Sequence, residues 1–241
     1  MNEMKNKFKT LINKLTIYKY KILNEPTLKQ EILLRLALKE KGFNLQKLKI
    51  KCDHDLGLNY VNEIKLEIKY PESFFNKASS LIPENKNVNF YFNGNMDESG
   101  EREQLLKPFQ KLSKSVIISS NQGRVIAKKG KFNKEYFKDL ASAKFGLCPH
   151  QSDWPGTKKY MWTYRFIESC FVCAIPVVFK STPLGAVFIN GFYFVWDNEV
   201  ISDWEKIYKD ISKHAENNRL LAKERFCLTK KECSDIKNSF L

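Results

Sequence analysis

The chain has 241 residues, a formal net charge of +14, and a content of 43% hydrophobic and 13% aromatic residues. That apolar share is too high for a disordered chain despite the charge, and the composition excludes a collagen-like or low-complexity polymer. No stretch approaches the ~18 uncharged apolar residues of a membrane-spanning helix, and the length leaves room for one or two domains.

The segment Met1 to Leu15 is studded with Lys and has no apolar core of a signal peptide, so export by a cleaved signal is not expected. Residues 1–50 carry 12 Lys and Arg against 4 Asp and Glu, which is more than half of the whole net charge. This skew admits three readings: a solvated face, attraction to an anionic membrane surface, or nucleic-acid binding through counterion release. Nucleic acid is the least favoured of the three. Phe8, Leu11, Ile12, Leu15, Ile17 and Tyr18 recur at steps that predict an amphipathic helix. Pro26 opens a second helix carrying Leu28, Ile32, Leu33, Leu36 and Leu38, which ends near Gly42. Ile64, Leu66 and Ile68 alternate with charged residues and predict a strand closed by Pro71.

From residue 86 the pattern becomes regular. Strands are expected at Val88–Phe92, Ser115–Ser119, Phe145–Cys148, Ile175–Phe179 and Phe192–Trp196. Helices are expected at Glu101–Leu112, from an Asn133 cap to Ala143, at Met161–Cys173, from a Ser202 cap to Ser212, and along the tail to Leu241. Alternating strands and helices imply an α/β fold with a parallel sheet covered on both faces. The expected division is 1–85, an abbreviated, basic, mostly helical region, and 86–241, a Rossmann-like domain. Ligands of such sheets bind beyond the carboxyl ends of the strands. That rule marks the loops after Phe92, Cys148 and Phe179.

The segment Tyr136–Phe179 holds the most informative residues. Its second helix puts Arg165 and Glu168 three residues apart on one face. A guanidinium can grip a diphosphate through two hydrogen bonds, and a carboxylate on the same face can accept from the hydroxyls of a ribose. The plainer alternative is a local Arg–Glu ion pair on a helix surface. Both stand on spacing alone.

The residues around this pair resemble the donor-binding half of exostosin-like glycosyltransferases of the GT-B architecture. The resemblance runs through Tyr136, Leu140, Ser142, Lys144, Phe145, Leu147, Cys148 and Pro149, then Trp162, Tyr164, Arg165, Phe166 and Glu168, then Ile175, Pro176, Val177 and Val178. Upstream, Phe92, Gly94 and Arg102 resemble the Phe-x-Gly turn and the following helix Arg of that family. The match covers about residues 88–180. It departs from the family at His150 and Gln151, where Gly is usual (Gly156 comes later), and at Cys173 before Ala174, where the family has Gly.

The resemblance implies transfer of a sugar from a nucleotide-sugar donor to a glycan or lipid-linked acceptor, with no cofactor and no metal. It implies that Arg165 holds the diphosphate, Glu168 the ribose and Arg102 a second phosphate contact. Gly94 would let the backbone approach the donor, and Tyr164, His150, Asp153 and Trp154 would line the base or sugar. The general base is not assigned among Asp97, Glu98 and His54. A complete acceptor domain is not expected in the first 85 residues, so the acceptor half is expected to be abbreviated, supplied by a partner, or missing.

The six cysteines are Cys52, Cys148, Cys170, Cys173, Cys227 and Cys233, and only Cys170 and Cys173 form a CxxC. With no second such pair, core packing is the better reading of it than zinc. Cys52-Asp53-His54-Asp55 reads as a polar turn, Lys128–Lys131 as a solvated loop, and His214 as a helix-surface residue. Trp196 and Trp204 read as packing residues. The sparse cysteines fit a reducing compartment, so the expected location is the cytoplasm, with the inner membrane face as the option the basic skew adds. Two other functions stay open: a catalytically silent or partner-dependent subunit, and a basic surface-binding module on a Rossmann-like core.

Overall fold

The computed structural model describes residues 29–53, 57–96, 100–120, 125–126, 131–150, 163–182 and 189–239. The amphipathic pattern of residues 8–18, His54, Asp97, Glu98, Asp153, Trp154 and Lys128 lie outside the described residues.

Helix α1 (Lys29–Glu40) matches the expected leucine-rich helix and stops before Gly42, whose φ of +81° suits a left-handed helix exit. It is followed by β1 (Ile50–Asp53), β2 (Leu58–Val61) and β3 (Ile64–Glu67), which form an antiparallel meander. Only β3 was legible from alternation. The β2–β3 turn puts Asn62 and Glu63 at φ +47° and +72°, so the register Val61↔Ile64 is closed by a two-residue turn of the primed type. Glu is unusual there, and that hid the hairpin. The described part of the amino-terminal region is therefore mixed helix and strand. Its apolar side (Leu34, Leu38, Val61, Leu66) packs on Leu228 and on Ile236 of the last helix.

After α2 (Glu72–Ser79) the main sheet begins. Its strands are β4 (Val88–Gly94), β5 (Ser115–Ser119), β8 (Ala143–Cys148), β9 (Ile175–Val178) and β10 (Val195–Trp196). A small hairpin, β6 (Val125–Ile126) with β7 (Lys131–Phe132), lies between β5 and β8 in the chain. The five strands are all parallel, in the order β10-β9-β8-β4-β5. The chain starts near the middle of the sheet, moves outward to β5, then returns past β4 to β8. The order of travel reverses between β4 and β8, which is where a doubly wound sheet opens a crevice at its carboxyl edge.

Both faces are covered, as a Rossmann-like α/β fold requires. On one face Phe90, Phe92, Phe145, Leu147, Ile175 and Val177 pack under α3 (Glu101–Gln110) and α6 (Asp197–Ile211). On the other, Tyr91, Cys148 and Val178 pack under α4 (Lys134–Ala141), α5 (Tyr164–Phe171) and α7 (Ala215–Phe226). The alternation of strand residues between faces follows the pleat. Gly146 of β8 is required by this packing: a Cβ there would lie 2.0 Å from the Ser169 hydroxyl of α5. The chain ends in α8 (Lys230–Asn238), which Thr229 and Glu232 cap reciprocally.

The second face also takes in Phe74, Phe75 and Ala78 of α2 and Tyr70 before it. Packing therefore continues across the 85/86 boundary without a break.

Three expected elements shift. The strand at Phe192–Trp196 shrinks to Val195–Trp196, because only these two residues pair with β9, while the Phe192 amide closes a turn onto the Ile189 carbonyl. Helix α6 starts at Asp197, ahead of Ser202. Its backbone breaks at Asp203 (φ −155°, ψ 64°), and the Asp203 carboxylate accepts from the Lys206 amide at 3.3 Å. Asp203 is thus the cap of the second half, one residue beyond the expected one. Helix α5 is shorter than expected and is capped by Thr163, whose hydroxyl accepts from the Arg165 amide.

Candidate functional site

The switch point lies at the ends of β4 and β8. Four of the expected site residues gather there: Gly94, Arg102, His150 and Arg165. Arg165 reaches from the first turn of α5 to the end of β4, where its Nη2 donates to the Asn93 carbonyl at 2.9 Å. Its guanidinium lies 4.2 Å from the centre of the Phe92 ring, a cation–π contact. The residue is only 5% exposed, its Nε donates to nothing, and among the described residues no carboxylate pairs with it.

Gly94 lies against this arginine. A Cβ on it would lie 2.2 Å from Nη2 of Arg165. The missing side chain makes room for the arginine; the donor approach expected at this residue finds the arginine already there. Beside it, the buried Tyr91 hydroxyl and the Asn93 amide oxygen also have no hydrogen-bond partner. Burial pushes the Tyr91 phenol well up from its usual range, with Asn93, Asp139 and Arg165 nearby acting in smaller and mixed directions. The proximity of these groups is felt electrostatically although none of them meets hydrogen-bond geometry with the Tyr91 hydroxyl.

Arg102 is a clamp. Its Nε donates to the His150 carbonyl at 3.0 Å, its Nη2 to the Pro149 carbonyl at 3.5 Å, and its Nη1 to the Asn95 carbonyl. It ties the chain leaving β4 to the chain leaving β8, and its guanidinium lies 5.9 Å from the Phe92 ring centre. The two arginines thus share one aromatic ring. All three guanidinium nitrogens of Arg102 donate to backbone carbonyls of these two loops.

His150 is 5% exposed and held at three points. Its carbonyl accepts from Arg102, its Nδ1 lies 3.2 Å from the Thr182 hydroxyl, and its Nε2 lies 3.2 Å from a Glu101 carboxylate oxygen. Thr182 follows β9, His150 follows β8 and Glu101 is the first residue of α3, so the imidazole joins the start of that helix to the segment after β9. Sequence reasoning missed Glu101 and Thr182. The strand-end rule marks the loops after β4, β8 and β9, but only the fold reveals that Glu101 and Thr182 both meet His150.

Glu168 sits elsewhere. It is 0% exposed, and its two oxygens accept from the hydroxyls of Tyr70 at 2.9 Å and Tyr136 at 2.5 Å. These two bonds make a buried tie between Tyr70, ahead of α2, and helices α4 and α5. Tyr136 is oriented in turn by its place in α4, whose Asn133 cap accepts from the Tyr136 amide at 3.2 Å. Tyr164 is half-buried at the start of α5 and packs against the second-face core.

Cys170 is buried in the core, as the packing reading expects; Cys173 lies beyond the end of α5 at φ +55°. This is the position where the resembled family has Gly, and a left-handed residue after a helix is where Gly fits best. His214 stacks on Tyr193 with ring centres 3.7 Å apart, and Trp204 packs edge-on to Phe90. Among the described residues no group of three metal-type side chains forms, and no helix is long and apolar enough to cross a membrane. A cleft of about 580 Å³ between α2 and α8, lined by Lys41, Glu72, Lys230 and Cys233, includes none of these site residues. Comparison of the chain with protein-family models and with curated proteins returned no match.

Proposed function

We propose that this chain is a glycosyltransferase of the exostosin-like, GT-B type. It binds the diphosphate of a nucleotide-sugar donor at the β4/β8 switch point and passes the sugar to a glycan or lipid-linked acceptor. The observation that carries this reading is Arg165: a guanidinium almost wholly buried, with an idle Nε and no carboxylate beside it among the described residues. A buried charge is costly unless compensated. A diphosphate in the crevice supplies the missing anion, and the orphaned Tyr91 hydroxyl and Asn93 amide supply further polar contacts. During transfer, negative charge builds on the departing diphosphate, and a fixed guanidinium stabilises it there more than in the ground state. Basic side chains and amides take the place of a metal.

In this reading Arg102 and Gly94 act indirectly. Arg102 holds the two strand-end loops together, and Gly94 admits the arginine that binds. Glu168 holds α5 in place from below. For the acceptor, the described part of residues 29–85 offers an antiparallel meander with helices. The basic amino-terminal skew suits attachment to an anionic membrane surface, where such an acceptor is carried.

Calorimetric titration with nucleoside diphosphates, without added metal, tests the donor site. Wild-type protein binds one nucleotide, and Arg165→Ala does not. Equal binding by both removes Arg165 from the site.

A further inference from the structure

We infer that Glu101 is the general base of the proposed transfer and that His150 positions it. The inference rests on the donor-site reading above.

Glu101 stands at the start of α3, where the helix dipole favours a carboxylate. One oxygen is held by His150 Nε2, and the side chain is 42% exposed while the imidazole is 5% exposed. The line Thr182–His150–Glu101 therefore runs from the interior to the surface, with the carboxylate as its outer end. A neutral imidazole satisfies both contacts. Its Nε2–H donates to Glu101, and its Nδ1 accepts from the Thr182 hydroxyl. The next residue, Arg102, fixes the same histidine through its carbonyl. Neighbouring residues of one helix thus grip the ring and the backbone of His150, and Thr182 fixes the remaining nitrogen. Such bracing holds a side chain in one geometry, as an acid–base group needs.

The location fits the step. Glu101 meets His150 just beyond the carboxyl end of β8, and Arg165 meets Asn93 near the carboxyl end of the neighbouring strand β4. In a direct displacement the acceptor hydroxyl attacks the anomeric carbon and its proton passes to Glu101. The bond between that carbon and the diphosphate oxygen breaks, and its electron pair leaves on the diphosphate beside Arg165. The anomeric configuration inverts.

The test uses the full chain with UDP-glucose, UDP-N-acetylglucosamine, GDP-mannose and GDP-fucose as probes. It measures nucleoside diphosphate binding, and release of that diphosphate to water and to added alkyl glycosides. E101Q is expected to bind as wild type does and to lose turnover by ~100-fold or more. His150→Leu is expected to lower turnover by ~10-fold at unchanged KM, with His150→Gln, which keeps a donor toward Glu101, closer to wild type. Normal turnover by a folded E101Q overturns the assignment and leaves the donor site standing. Binding by wild type without any diphosphate release also overturns it. If wild type binds none of the probes, the donor-site reading falls, and this inference with it.

Discussion

A guanidinium that leaves water loses hydration, and the fold must replace it. Around Arg165 the replacements are the Asn93 carbonyl and the Phe92 face. Gly94 makes that pose reachable, so Gly94→Ala should weaken nucleotide binding by about as much as Arg165→Ala, roughly tenfold or more for a charge-assisted contact. Titration of the alanine variant checks it. Normal affinity would mean that Arg165 binds in some other pose. Glu168 gives the opposite expectation. Glu168→Gln turns one acceptor oxygen into a donor facing a tyrosine hydroxyl, so stability should fall by about 1–3 kcal/mol while nucleotide affinity holds. Denaturant midpoints and titration separate the two effects. A loss of affinity at unchanged stability would restore the ribose role.

At the scale of elements, most strands and helices were legible because the pleat and the helix period left clear apolar patterns. Asn133 was read as a cap and is one. The misses share a cause: they depend on backbone geometry or on distant partners that local sequence does not encode. The Asn62-Glu63 turn, the break at Asp203 and the two-residue β10 belong to this class. The candidate site divides in the same way. Sequence brought out Arg165 and His150 by their place after strand ends, but not the tyrosines that enclose Glu168, which come from residues 70 and 136. Cys173 offers a test of backbone geometry. Its φ of +55° costs a side-chain-bearing residue about 1 kcal/mol relative to Gly. Cys173→Gly should therefore raise the denaturation midpoint, even though it removes the 3.5 Å contact with Glu216. A lower midpoint would mean that the thiol contributes more packing than the strain costs.

For the whole molecule, the two faces of the sheet and the amino-terminal meander bury several ionisable groups, and this sets the response to alkali. Burial pushes the thiols of Cys52, Cys148 and Cys227 up to about 12, from 9.0. A raised folded value means that the unfolded chain loses these protons first. The stability they contribute is complete below pH 9 and is lost as pH rises from 9 toward 12. Lys86 works in the other direction. Burial lowers it to about 8 while its ammonium donates to the Ala141 and Val172 carbonyls. The unfolded chain holds that proton longer, so its contribution rises with pH from about 8 toward 10.5. Three thiols outweigh one amine, so denaturant midpoints should change little between pH 7 and 8.5 and fall clearly by pH 10. A midpoint that is flat to pH 10 would mean that these thiols are not buried as described.

Arg165, buried and paired with no carboxylate among the described residues, is proposed to mark an anion site for a nucleotide diphosphate. The most direct test is metal-free calorimetry of wild type, Arg165→Ala and Glu168→Gln against uridine, guanosine, adenosine and cytidine diphosphates. Wild type and Glu168→Gln are expected to bind the same nucleotide, and Arg165→Ala to bind none. Absence of binding by wild type, or equal binding by all three proteins, would contradict it.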